Sequence, residues 1–153
     1  MTQRILFVCT GNICRSPAAE VLLRAEAAQV GVPIEVASAG TSDWHVGDGP
    51  TSTNILAAQK AGHDLSSHRA QQVTAEHFQN YNWLIGMTRA HCRHLVTLQP
   101  PSQEAKIALF SDFDPDNLPK DFPDPYGHSD QTYDSMWMKL KAAMPAVLKA
   151  VTL

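Results

Sequence analysis

Apolar positions along the chain fall into short runs separated by amphipathic stretches. "RILFVC" (residues 4–9) is a β-rich apolar run and predicts a buried first strand. In "SPAAEVLLRAEAAQVG", Ala18, Val21, Leu22 and Ala25 keep helical spacing on one face. Ser16 suits the cap of this first helix, Pro17 its first position and Gly31 its end. "PIEVASAG" (33–40) predicts strand two. "TSTNILAAQKAG" (51–62) predicts a second helix, capped at Thr51 or Ser52 and stopped at Gly62. "NWLIGM" (82–87) predicts strand three, residues 88–98 a third helix and "AKIALF" (105–110) strand four. Residues 111–128, rich in Asp and Pro, predict a long loop. From Asp130 onward, Tyr133, Met136, Trp137, Leu140, Met144, Val147 and Leu148 share one helix face. Pro145 is expected to kink or split that helix.

Strands alternating with helices imply an α/β fold with a parallel sheet. Ligands of such sheets sit beyond the carboxyl ends of the strands. Cys9 falls at one of those ends, and the 111–128 loop follows strand four at the same edge. A loop that long in so short a chain is more often functional than idle.

Composition narrows the function. The 153 residues, 44% hydrophobic and 18% charged, suit a single globular domain over residues 1–153. The net charge of -3, with no basic stripe, argues against nucleic acid. No cationic amphipathic helix, membrane span or leader pattern is evident, so a cytoplasmic protein with no membrane partner is expected. Three cysteines, Cys9, Cys14 and Cys92, are too few for a disulfide framework and lack the spacing of a zinc site. The seven histidines form no metal-ligand pattern. His91 and His94 lie three apart on the third predicted helix and are expected at its surface. Trp83 and Trp137 are expected in the core.

The chemistry concentrates in "VCTGNICRSP" (8–17). A strand ends at Cys9 and a helix starts near Ser16, so the chain between must turn tightly. Gly11 and Asn12 both tolerate the left-handed backbone such a turn needs. Inward-facing N–H groups, with a helix N-terminus behind them, make an anion cradle that also favours the thiolate of a thiol placed inside it. The planar fork of Arg15 can grip two phosphate oxygens at once. Cys9 is thereby placed to attack phosphorus from the floor of the cradle, with Ser16 donating to the thiolate.

"VCTGNICRSPAAE" resembles the phosphate-binding loop of the low-molecular-weight protein tyrosine phosphatases. "ASAGT" (37–41), "SSHRAQQVT" (66–74) and "DPYG" (124–127) resemble the same family, and the resemblance spans essentially the whole chain. It implies a three-layer α/β fold whose four-stranded parallel sheet is flanked by helices, with the phosphate-binding loop after strand one. It implies a cysteine-dependent phosphatase that hydrolyses phosphotyrosine through a phosphocysteine intermediate, without cofactor or metal. The expected partner is a phosphotyrosine protein, a tyrosine kinase among the candidates, acted on by a monomer.

A departing tyrosine oxygen needs a proton. Asp112, Asp114, Asp116, Asp121, Asp124 and Asp130 all lie in or beside the long loop, and residue physics does not choose among them. The resemblance selects Asp124, held between Pro123 and Pro125, as acid and later as base. An ionised thiol and a protonated acid needed together imply activity that peaks below neutral pH. By the same resemblance, the backbone from Thr10 through Gly11, Asn12, Ile13 and Cys14 to Ser16 binds the phosphoryl group. Trp44 and Tyr126 wall a slot deep enough for phosphotyrosine and too deep for phosphoserine. Asn12 and Ser38 brace the loop. Cys14 is placed for a protective disulfide with Cys9 or, more plainly, fills space under the loop.

The chain also departs from the family pattern. His68 matches a histidine that pairs with an aspartate after strand three, yet Thr88 stands there. Gln71 stands where relatives carry arginine. Three rival readings share the scaffold. An arsenate reductase needs a further cysteine near Gly86. A protein arginine phosphatase typically carries threonine at the position of Ile13, whose bulk suits an aryl leaving group. A non-catalytic phosphate-binding module needs neither Cys9 nor Asp124.

Overall fold

The computed structural model describes residues 2–153. Four strands, β1 (Gln3–Cys9), β2 (Ile34–Gly40), β3 (Trp83–Gly86) and β4 (Lys106–Leu109), form one parallel sheet in the order β2-β1-β3-β4. β1 lies inside and is covered on both faces, which explains its unbroken apolar run. Ile5 and Phe7 face a layer built from α1 (Arg15–Val30), α2 (Ser52–Lys60) and α5 (Asp130–Val151). Leu6 and Val8 face Phe78 of α3 (His77–Asn80) and Leu95 of α4 (Arg89–Leu98). The result is three layers, as expected. Among the described residues no helix is long and apolar enough to cross a membrane.

Several local expectations are corrected. α1 begins at Arg15, with Cys14 in the cap position and no side-chain cap. Ser16 does not cap it, because its hydroxyl is drawn to the Cys9 thiol 2.9 Å away. α2 is capped by Thr51, which accepts the Asn54 N–H at 3.2 Å. Pro145 does not split α5, which runs undivided through it. Proline removes only the bond to the Lys141 carbonyl, and both residues lie on the exposed face, where water can replace it. The short α3 was absent from the apolar pattern, and the loop after β4 opens with a 3-10 turn, Phe110–Phe113. Trp137 is core. Trp83 is only half-buried, packed on Phe113 with the Lys106 ammonium over its ring.

β1 and β2 end together, Cys9 opposite Gly40. A Cβ at Gly40 would stand 2.5 Å from the Thr10 carbonyl oxygen, so only glycine lets the β2 end approach the loop after β1 this closely.

Candidate active site

The loop from Cys9 to Ser16 owes its shape to what its carbonyls bind. The Cys9 carbonyl accepts from Thr41 N–H at 2.8 Å and that of Thr10 from Ser42 N–H at 3.0 Å. The Asn12 carbonyl accepts from His68 Nε2 at 2.7 Å. Those of Ile13 and Cys14 accept from the buried amide of Asn54, at 3.1 and 3.2 Å. With these carbonyls turned outward, the loop N–H groups are left to face inward, the arrangement of an anion-binding nest.

Asn12 is the hub. It adopts the left-handed conformation at φ 60° and is fully buried. Its Nδ2 donates to Ser16 Oγ at 2.8 Å and to Ser38 Oγ at 2.9 Å. Its Oδ1 accepts the Gln71 N–H at 3.0 Å, and its own N–H points at Cys9 Sγ, 3.3 Å away. The Ser38 hydroxyl donates in turn to Glu20 Oε1 at 2.7 Å. Every polar group of Asn12 is thus engaged, which offsets the cost of the conformation.

Cys9 is buried at the loop floor, its sulfur faced by the Ser16 hydroxyl and the Asn12 N–H. Ser16 accepts from Asn12, and its own proton is shared between the Cys9 sulfur at 2.9 Å and the Ala39 carbonyl at 3.5 Å, the nearer contact being the sulfur. Cys14 lines the same pocket but differs in kind. Its thiol lies 3.3 Å from the Tyr133 hydroxyl, which itself accepts from Thr51 at 3.2 Å. Burial pushes the Cys14 thiol up to about 11, against the lowering effect of the Tyr133 bond, with the Asp124 and Cys9 charges raising it further. Cys14 therefore stays a neutral thiol at ordinary pH. Cys9, Cys14 and Cys92 are all free.

Arg15 is 5% exposed, in the first turn of α1. Its Nη1 donates to the Phe122 carbonyl at 2.9 Å, and its Nη2 lies 3.7 Å from Asp124 Oδ2. Asp124 is half-exposed, and its Oδ1 accepts the Tyr126 N–H at 3.1 Å. Asp124 is thus the one loop carboxylate that meets the arginine, whereas Asp121 pairs outward with Arg89 at 2.9 Å. Hydrogen bonds from the Arg89 side chain and backbone hold the Asp121 carboxyl down at about 2.

One pocket of about 120 Å³ collects Cys9, Thr10, Gly11, Ile13, Cys14 and Arg15 with Trp44, His45, Asp124 and Tyr126. Trp44 and Tyr126 are 75% and 56% exposed, standing at its mouth rather than packing into the core. His45 shares that wall, 6.1 Å from the Tyr126 ring and bonded to Asp48 at 3.2 Å. Cys92 lies apart from this pocket. Its thiol points to the Ala108 carbonyl, and a Cβ on Gly86 would stand 2.7 Å from its sulfur. A second thiol at Gly86 therefore has no room without moving Cys92.

His68 donates to the Asn12 carbonyl and so touches the loop without the aspartate that Thr88 replaces. Another histidine corrects an expectation. His91 is not a surface residue. It is 4% exposed and bonds Thr10 within the loop, whereas His94 is exposed. His45 and Asn54 also carried no expectation. Asn54 had a signal, an amide on the same helix face as Ala57 and Ala58, where a polar group is retained only if it is bonded. Its Oδ1 accepts the Trp137 indole N–H at 2.8 Å.

Comparison with known proteins gives one consistent result. Residues 4–152 match the sequence family described as low molecular weight phosphotyrosine protein phosphatase. A low molecular weight protein-tyrosine-phosphatase of Streptomyces coelicolor is 37% identical, covering 99% of this chain and 94% of that protein. A low molecular weight phosphotyrosine protein phosphatase of Sus scrofa is 30% identical, covering 99% and 97%. The crystal structure of a low molecular weight protein tyrosine phosphatase from T. tengcongensis superposes with a TM-score of 0.88 at 31% identity, covering 97% of this chain and 99% of that one.

Proposed function

The chain belongs to the low molecular weight phosphotyrosine protein phosphatase family, and from that membership we propose that Cys9 is its nucleophile, Arg15 its phosphoryl clamp and Asp124 its general acid and base. It is a cysteine-dependent protein tyrosine phosphatase, and its substrates carry phosphotyrosine. The observation that carries the assignment of roles is the convergence of these three side chains on one pocket.

In the first step the Cys9 thiolate attacks phosphorus. The S–P bond forms, the P–O bond to tyrosine breaks, and Asp124 gives its proton to the departing phenolic oxygen. In the second step the oxygen of a water attacks the phosphocysteine and its proton passes to Asp124. The S–P bond breaks, releasing inorganic phosphate and the thiolate. Ser16 and the Asn12 N–H, which face the sulfur in the free protein, stabilise the thiolate that attacks and that leaves again in the second step. Arg15 and the amides of Thr10 to Ser16 hold the phosphoryl oxygens through both transition states. Trp44 and Tyr126 flank the substrate ring. Ser38 and His68 act on the loop through Asn12.

We assign this work to residues 1–153 acting as one domain and one monomer in the cytoplasm, on a partner such as a tyrosine kinase. The test is phosphate release from a phosphotyrosine and a phosphoarginine peptide, side by side in EDTA, by wild type and Cys9→Ser. Metal-independent phosphotyrosine turnover that vanishes in the variant is expected. Preference for phosphoarginine, or turnover that survives Cys9→Ser, overturns the assignment.

A further inference from the structure

One buried polar group touches the loop and has no part in the chemistry above. His91 sits in the first turn of α4, where Thr88 and His91 form a capping box. The Thr88 N–H donates to His91 Nδ1 at 3.1 Å. Nδ1 is therefore the acceptor nitrogen, and the ring proton of the neutral imidazole sits on Nε2. Nε2 lies 2.8 Å from Thr10 Oγ1. The bond thus runs from His91 to Thr10, and the Thr10 hydroxyl keeps its own proton. Among the described residues no protein group accepts that proton, yet Thr10 lines the pocket beside Cys9.

We propose that His91 is a positioning residue that fixes the Thr10 hydroxyl so that its proton meets a phosphoryl oxygen, adding a side-chain donor to the loop amides and Arg15. The inference rests on the roles assigned to Cys9 and Arg15. A donor held in place before charge develops is worth more than one that must reorient. His91 supplies that hold because its ring is fixed at both nitrogens and closed off from water. Its neutrality matters, since a proton on Nδ1 would face the Thr88 N–H donor to donor. The groups around it favour the neutral form. Burial and the Arg15 guanidinium on α1 push His91 down to about 4, with His94 on α4 acting in the same direction. Asp124 and Asp121 on the acid loop oppose them.

The test uses the intact protein with Thr10→Val, Thr10→Ser, His91→Leu, His91→Gln and the Thr10→Val/His91→Leu double variant. Each is read by kcat/KM on a phosphotyrosine peptide, by competitive inhibition with inorganic phosphate, and by melting temperature. Thr10→Val is expected to lose activity and phosphate affinity together, on the order of 10- to 100-fold, as for one hydrogen bond to a charged group. Thr10→Ser, which keeps the hydroxyl, recovers much of what Thr10→Val loses. His91→Leu falls as Thr10→Val does, and the double variant falls no further, because both changes remove the same contact. His91→Gln recovers much of the loss, since its amide can reach Thr10.

Wild-type kinetics and phosphate affinity in Thr10→Val overturn the proposal, as do losses that multiply in the double variant. Should His91→Leu not fold, Thr10→Val against Thr10→Ser still decides. Cys9→Ser serves as the separate control. A wild type whose turnover does not depend on Cys9 refutes the assigned chemistry instead, whatever Thr10 does.

Discussion

Lowering the pH should cost this fold stability through His91 before most of its carboxylates protonate. In an unfolded chain the imidazole takes up a proton as pH falls through about 6.5. In the folded protein it resists until about 4, chiefly through burial and then through Arg15. Between those two values the unfolded state binds more protons, so stability falls with pH. Above 6.5 the contribution is fully present, and below 4 it is fully lost. Each pH unit well inside the window is worth about 1.4 kcal/mol and less near its edges, so a change from pH 7 to pH 4.5 removes a little over ~2 kcal/mol. For a chain of this size that is roughly 4–8 °C in Tm. His63 and His77 are also pushed down by burial and add to the same slope. The informative quantity is therefore the difference between wild type and His91→Gln, which does not titrate. Urea unfolding of both at pH 7, 6, 5 and 4.5 measures it. Wild type is expected to lose about 2 kcal/mol more than the variant across the series. Parallel curves would refute both the burial account and the neutral donor on which the Thr10 contact depends.

Asp124→Asn should cut phosphotyrosine turnover by roughly 10²–10⁴-fold while leaving the melting temperature near wild type, because the carboxylate is half-exposed; kinetics close to wild type would remove Asp124 from the proton transfers. Asn12→Ala strands buried partners at Ser16, Ser38 and Gln71 and puts alanine at φ 60°, so unfolding should show a loss of roughly 2–4 kcal/mol, and an unchanged Tm would contradict the hub. Ile13→Thr relieves bulk in the pocket wall and should raise the ratio of phosphoarginine to phosphotyrosine turnover; a ratio that does not move would remove Ile13 as the discriminator. Brief peroxide treatment followed by thiol reductant should restore wild type but not Cys14→Ala, and equal recovery in both would leave Cys14 with its packing role alone.

What the chain discloses at first reading depends on how far apart the cooperating residues lie. β1 is legible because burial on both faces needs an unbroken apolar run, and the loop is legible because Cys9, Asn12, Arg15 and Ser16 stand within one turn of one another. The start of α1 is misread for a reason internal to the same loop. A serine before a proline is a good cap by local rules, but here the thiol competes for its hydroxyl and wins at 2.9 Å. The acid is beyond local physics altogether. Several aspartates share the long loop, and only the folded path of that loop sets Asp124 against Arg15 while Asp121 turns to Arg89.

His91 is the extreme case, 81 positions from the hydroxyl it holds. Its one local signal is the spacing from Thr88, which marks a helix start and gives no hint of the loop beyond. Seen in the fold, the threonine that stands where the family pattern has a carboxylate is no gap. It caps α4, fixes the tautomer of His91 and so delivers an uncharged donor to the loop. An aspartate at that position would still cap the helix, but it would set a negative charge beside His91 Nδ1 and favour the imidazolium. Threonine at position 88 and a neutral histidine at position 91 therefore belong together, as two halves of one device acting on Thr10.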